Sequence, residues 1–148
     1  MIKYIITPFE NSVVKDLDLE CRNQELHIKF SVDDIGTRRA ALHSKNGFVC
    51  FSGIIVFDTE KGECISTLYL KNGFLHSYDG VPAESNNQVD RWFLDGLLHR
   101  EDGPAVVYKN PVLGKYYYSL KGLEYTFEEY LKLIPEENAI VVTLKYKK

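Results

Sequence analysis

The chain has 148 residues, 45% apolar and 26% charged, the proportions of one ordinary globular domain large enough to bury a core. Its net charge of −3 comes from 18 basic and 21 acidic residues spread without long runs, which excludes a basic stripe for duplex nucleic acid and a dense carboxylate array that would mimic one. Three cysteines, an odd count with no CxxC pair, argue for a reducing, cytoplasmic setting and against a disulfide framework or zinc ribbon; no apolar run reaches membrane-span length, and MIKYIITPFENS lacks a signal-peptide apolar region.

In chain order, Met1 to Thr7 reads as a strand stopped by Pro8. Leu17, Leu19 and Cys21 alternate with Asp16, Asp18 and Glu20, and Leu26, Ile28, Phe30 and Val32 alternate with His27, Lys29 and Ser31. With the polar turn Arg22-Asn23-Gln24 between them, these runs predict an antiparallel hairpin with one buried face. Val49 to Phe57, interrupted by Ser52-Gly53, and Glu63 to Leu70 predict two further strands around a polar turn at residues 58–62. Cys50 and Cys64 then read as packing thiols.

From here the chain repeats itself. Leu98-His99-Arg100-Glu101-Asp102-Gly103-Pro104-Ala105 follows the same plan as Leu75 to Ala83, which carries Val81 as an insertion. Each copy is preceded by an aromatic-rich run and a glycine, Gly73 or Gly96. Leu42-His43-Ser44-Lys45-Asn46-Gly47 is a weaker echo, and Tyr117 to Gly122 keeps only the strand and the glycine. Each unit reads as a small β hairpin, with Asp95-Gly96 a favoured two-residue turn and Pro104 entering the strand Ala105 to Tyr108. Thr126 and Glu129 fit a capping box for a short helix over 127–134, stopped by Pro135. Ile140, Val142, Leu144 and Tyr146 alternate as a last strand. The expected fold is mainly β: consecutive antiparallel hairpin repeats in a single sheet-rich domain spanning 1–148, with one short helix near the C-terminus. Within it, 1–40 is a hairpin region, 41–134 holds the repeats and capping helix, and 135–148 forms a strand.

The pattern Trp-x-x-x-Gly-x-x-His-Arg-x-x-Gly-Pro-Ala, matched by Trp92, Gly96, His99, Arg100, Gly103, Pro104 and Ala105, resembles a tandem repeat of uncharacterised bacteriophage and large-virus proteins. Tyr117 to Leu131 is similar to the way such arrays close. The resemblance covers roughly residues 63–134 and implies a viral origin, hence the host cytoplasm, rather than a reaction.

A residue that recurs at one repeat position is more economically structural than catalytic, so His43, His76 and His99 are expected to hold turns and not a metal. Asp79 and Asp102, each before glycine, are expected to bond their own turns. Without a phosphate loop, GxSxG or HExxH motif, no enzyme class and no cofactor is expected. The expected function is non-catalytic attachment to a host protein, inhibiting a defence or modulating an enzyme. The residues expected to bind are those not shared between units: Tyr78, Trp92, Arg100, Tyr116, Tyr117, Asn86 and Asn87, the last two on a polar loop from Glu84 to Asp90. The alternative is a binder (sponge) or hydrolase of a nucleotide or other phosphorylated small molecule, with Arg38, Arg39, His76, His99 and Arg100 around one pocket.

Overall fold

The computed structural model describes residues 3–9, 20–21, 28–44, 47–58, 61, 63–110, 112 and 114–147, with the side chains of 3–4, 20–21 and 43–44 set aside. The fold is mainly β and antiparallel. Its large sheet runs through β13 (Val106–Tyr108), β10 (Val89–Arg91), β9 (Glu84–Asn86), β7 (Cys64–Lys71), β6 (Gly53–Asp58), β1 (Lys3–Pro8) and β2 (Glu20–Cys21). A short strand, β8 (Phe74–Leu75), joins β7 to β4 (Arg38–Ser44), which also carries β3 (Ile28–Val32) and β5 (Gly47–Val49). The sheet curls into a half-barrel. Two small hairpins follow the chain onward, β11 (Phe93–Leu94) with β12 (Leu97–Leu98), and β14 (Tyr118–Leu120) with β15 (Leu123–Tyr125). Helices α1 (Phe127–Leu133) and α2 (Glu136–Tyr146) close the chain.

Period-two burial builds the core. Ile6 opposes Ile55 and Ile55 opposes Leu68, so three neighbouring strands send one residue each to the same face. With Ala40, Leu42, Phe51, Leu70, Leu75, Ala83 and Phe93 they form the main hydrophobic cluster. A second cluster, Tyr118, Tyr130, Ile134 and Val142, packs the helices onto β14. The capping box forms as the sequence predicts: Glu129 N–H donates to Thr126 Oγ1 at 3.2 Å and Thr126 N–H to Glu129 Oε1 at 3.0 Å.

Four expectations are corrected. The last strand is a helix, α2. Pro135 sits just outside it with an extended backbone, Glu136 and Glu137 occupy its first turn and Lys145 its last, which suits the helix dipole. Ala139, Val142 and Tyr146 fall on the inward face at helical spacing, while Ile140, Val141 and Leu144 are exposed. The hairpin expected over 16–32 does not form among the described residues; 16–19 and 22–27 lie outside them. Cys21 and Glu20 pair with β1, and β3 pairs with β4. Its expected buried face is largely open, with Phe30 58% and Val32 64% exposed. The presumed loop from Glu84 to Asp90 is the tight hairpin β9–β10, because Asn86 Oδ1 accepts from Gln88 N–H and Val89 N–H and so closes the turn. Cys50 and Cys64 are exposed, free thiols and not packing groups.

Candidate functional site

Three hairpin turns repeat one backbone. Asn72-Gly73, Asp95-Gly96 and Lys121-Gly122 all have positive φ, at 51° and 82°, 46° and 89°, and 49° and 82°. This is the two-residue geometry that fits the twist of paired strands. It leaves two turn amides pointing away from their own hairpin, and the preceding unit receives them both. Gly73 N–H donates to Phe51 O, Gly96 N–H to Leu75 O and Gly122 N–H to Leu98 O, at 2.8–2.9 Å. The other amide finds a side chain: Asn72 N–H donates to Ser52 Oγ at 2.9 Å, Asp95 N–H to His76 Nδ1 at 3.1 Å and Lys121 N–H to His99 Nδ1 at 2.9 Å.

His76 and His99 are therefore the hooks on which the next hairpin hangs. The equivalent hook in the earlier unit is Ser52, not His43. His43 falls on β4 opposite Phe48, ahead of its glycine instead of behind it. The hook role needs an acceptor placed after the return strand, and Leu42-His43 precedes its turn. The rest of the frame is shared as well. His76 N–H donates to Tyr69 O and His99 N–H to Trp92 O, while Tyr69 N–H donates to Ala83 O and Trp92 N–H to Ala105 O.

Accepting at Nδ1 requires a neutral imidazole with its proton on Nε2. Burial pushes both histidines below the ordinary value of 6.5, opposed by Asp95 beside His76 and Glu101 beside His99. The unfolded chain thus takes up protons before the folded one does, so stability is full above pH 6.5 and is lost as pH falls toward the depressed values. The melting temperature is expected to be lower at pH 5.5 than at pH 7.5. A His76→Asn, His99→Asn chain, whose amide oxygens can still accept from the turns, should show a flatter profile over that interval. An unchanged slope would remove the histidines as its cause.

Arg100 is enclosed by its own unit. Its guanidinium carbon lies 3.8 Å from the centre of the Trp92 ring, Nε donates to Asp102 Oδ1 at 3.0 Å and Nη1 to Pro104 O at 3.1 Å, leaving the side chain 12% exposed. Trp92 is buried and its Nε1–H donates to Gly80 O at 2.9 Å. In the other unit Ser77 stands at the arginine position, and its Oγ accepts from Ala83 N–H and Phe93 N–H at 3.0 Å each. Asp79 has φ 51°, whereas Asp102 is outside the left-handed region and pairs with Arg100, so the two aspartates do different work. Arg100→Ala and Asp102→Ala are accordingly expected to lower the melting temperature together, by breaking one contact from either side.

Tyr78 is also held by the frame: its hydroxyl donates to Leu70 O at 2.8 Å and its ring packs edge-on against Phe9 and His76. Tyr116, Tyr117 and Asn87 stand open, with Tyr116 packed edge-on against Tyr146 of α2. Of the residues of the small-molecule alternative, the groove at β3 gathers only two. Arg38 and Arg39 line a groove of about 340 Å³ with Phe30, Ser31, Val32, Leu68, Leu75 and Glu84; His76, His99 and Arg100 are not in its wall. Among the described residues no three His, Cys, Asp or Glu side chains converge as a metal site, and no helix is long and apolar enough to cross a membrane.

Reading residues 140–146 by alternation passed over α2. Its exposed face of Ile140, Val141 and Leu144, with Leu133 from α1, is the part of the surface that sequence reasoning missed. The signal was available in Glu136-Glu137 directly after Pro135, a helix start. Compared with family models, curated proteins and solved structures, the chain matches none.

Proposed function

We propose that the chain is a non-catalytic accessory protein of a bacteriophage or large virus that binds a host protein and thereby inhibits a defence or modulates a host enzyme. The repeat pattern around Trp92 and His99 supports the viral reading. The exposed thiols of Cys50 and Cys64 suit a reducing host cytoplasm. The observation that carries the binding reading is the closing helix pair. Ile140, Val141 and Leu144 on α2 and Leu133 at the end of α1 are 55–82% exposed, and Tyr116, itself open, packs against α2. Scattered apolar residues are normal on a surface, but a helix that buries one face and leaves an apolar one outside suits a partner.

The test is affinity capture from a bacterial lysate, followed by calorimetry with the purified captured protein. An Ile140→Asp, Leu144→Asp chain should melt as the parent does, since both side chains are exposed. It should bind at least about tenfold more weakly, the loss expected when interface anchors are removed. Tyr117→Ala should weaken binding in the same direction. Equal binding by parent and variant, or heat of binding only with nucleotides, would refute the proposal.

A further inference from the structure

Among the described residues, β3 is an edge strand of the half-barrel, pairing with β4 alone. The connecting turn shows which of its backbone groups point away from β4. Asp33 N–H donates to Thr37 O, so 33 and 37 are a hydrogen-bonded pair, and alternation makes 31 with 39 and 29 with 41 the next ones. The backbone groups of Ile28, Phe30 and Val32 therefore point away from β4. On the other side of β4 the alternation holds: Arg38 N–H and Ala40 N–H donate outward, to Gly96 O and Gly73 O. The same three residues of β3 direct their side chains to the face shared with Arg38, Ala40 and Leu42, which is the face of the main core.

Phe30 and Val32 thus form one wall of the groove whose other lining residues include Leu68, Leu75, Arg38 and Glu84. Alternation puts Lys29 and Arg39 on the opposite face of the β3–β4 hairpin, with Arg39 also bordering the groove. The charges near this edge are unbalanced. Glu84 is bonded to Arg91, and Asp33 already accepts from Ile35 N–H and Thr37 N–H. Arg38, Arg39 and Lys29 meet the rings of Phe93, Phe74 and Phe48, and among the described residues none of the three is in an ion pair.

Going beyond the helix-pair surface, we infer that β3 takes up an extended segment of a partner protein in which apolar residues alternate with acidic ones. Such a strand would pair with the outward-pointing groups of Ile28, Phe30 and Val32. It would place its apolar residues in the groove and its carboxylates beside Lys29 and Arg39. A second copy of this chain fits less well. Its β3 would set Lys29 against Ser31 or against the already committed Asp33, and a lysine in an edge strand opposes self-pairing.

The probe is a fluorescein-labelled acetyl-Val-Glu-Val-Glu-Val-Glu-Val peptide, read by anisotropy, so the result does not depend on capture of a host partner. The full chain should bind it at least about tenfold more tightly than the version with Lys in place of Glu, or than a peptide with the same residues in blocks. N-methylation of alternate peptide amides should abolish binding in one phase of the alternation and spare it in the other. Hydrogen exchange should slow at the amides of Phe30 and Val32 on binding and not at Phe48. Lys29→Glu with Arg39→Glu should invert the preference toward the lysine peptide, and circular dichroism confirms that this variant is folded. The inference fails if alternating and blocked peptides bind alike, if N-methylation changes nothing, or if nucleotide displaces the peptide. It also fails if the chain dimerises through β3, as a dimer lost in Val32→Glu would show, without taking the peptide.

Discussion

Tyr130→Ala is expected to destabilise the chain by about 3–5 kcal/mol, the range for removing a large buried aromatic ring. Tyr130 is fully buried at the centre of the second cluster, with its ring 4.9 Å from that of Tyr118. Its hydroxyl reaches from α1 to the loop after His99. It receives Gly103 N–H at 3.2 Å, lies 2.8 Å from Gly103 O, and bonds Arg100 O. Burial pushes that hydroxyl up to about 12, so it remains protonated throughout the neutral range. Tyr130→Phe keeps the ring and isolates the polar part. It should cost about 1–3 kcal/mol, because the buried amide and carbonyls of the loop lose their partner. Urea unfolding monitored by fluorescence of Trp92, the only tryptophan, reads both variants. A Phe variant as stable as the parent would mean that the helices do not anchor this loop.

Gly96→Ala should cost about 3 kcal/mol or more, for two separate reasons. Its φ of 89° lies outside what a side chain accepts readily. Beyond that, an added Cβ would sit 2.5 Å from Thr37 Cγ2, 3.0 Å from Phe74 and 3.1 Å from Arg38 O, so β4 and β8 would have to move. Gly80→Ala is the control, with a φ of 78° and nothing within 4 Å of the added atom. Backbone strain alone would make the two variants equally unstable by thermal melting. The packing of this turn into the half-barrel makes Gly96→Ala clearly the worse.

The stretch Leu98 to Tyr108 has the composition of an active site, yet His99, Arg100, Asp102 and Gly103 are engaged by their own scaffold. His99 holds the next turn, Arg100 is stacked on Trp92, Asp102 pairs with Arg100, and Gly103 is bonded to Tyr130. Repetition in the sequence pointed to scaffold for the histidines and aspartates, and the geometry of His76 and His99 agrees. It could not show that Arg100, which occurs in one unit only, is spent in the same way, since its partners come from the ring of Trp92 and the turn it spans.

What was legible in the residues alone is what short-range rules control. Asp95-Gly96 makes its turn because a two-residue hairpin needs left-handed backbone, Thr126 and Glu129 cap a helix through atoms three residues apart, and apolar runs bounded by Pro8 and the polar turn at 58–62 mark β1, β6 and β7 as strands. The partners of those elements were decided by packing. Ile28, Phe30 and Val32 alternate as a buried strand would, but alternation does not say which neighbour arrives, and among the described residues β3 pairs with β4 alone. The run from Ala139 to Tyr146 satisfies a period of two and a period of 3.6 equally. It became a helix because Val142, Ala139 and Tyr146 could then share a core with Tyr130, a contact between residues that no local window joins.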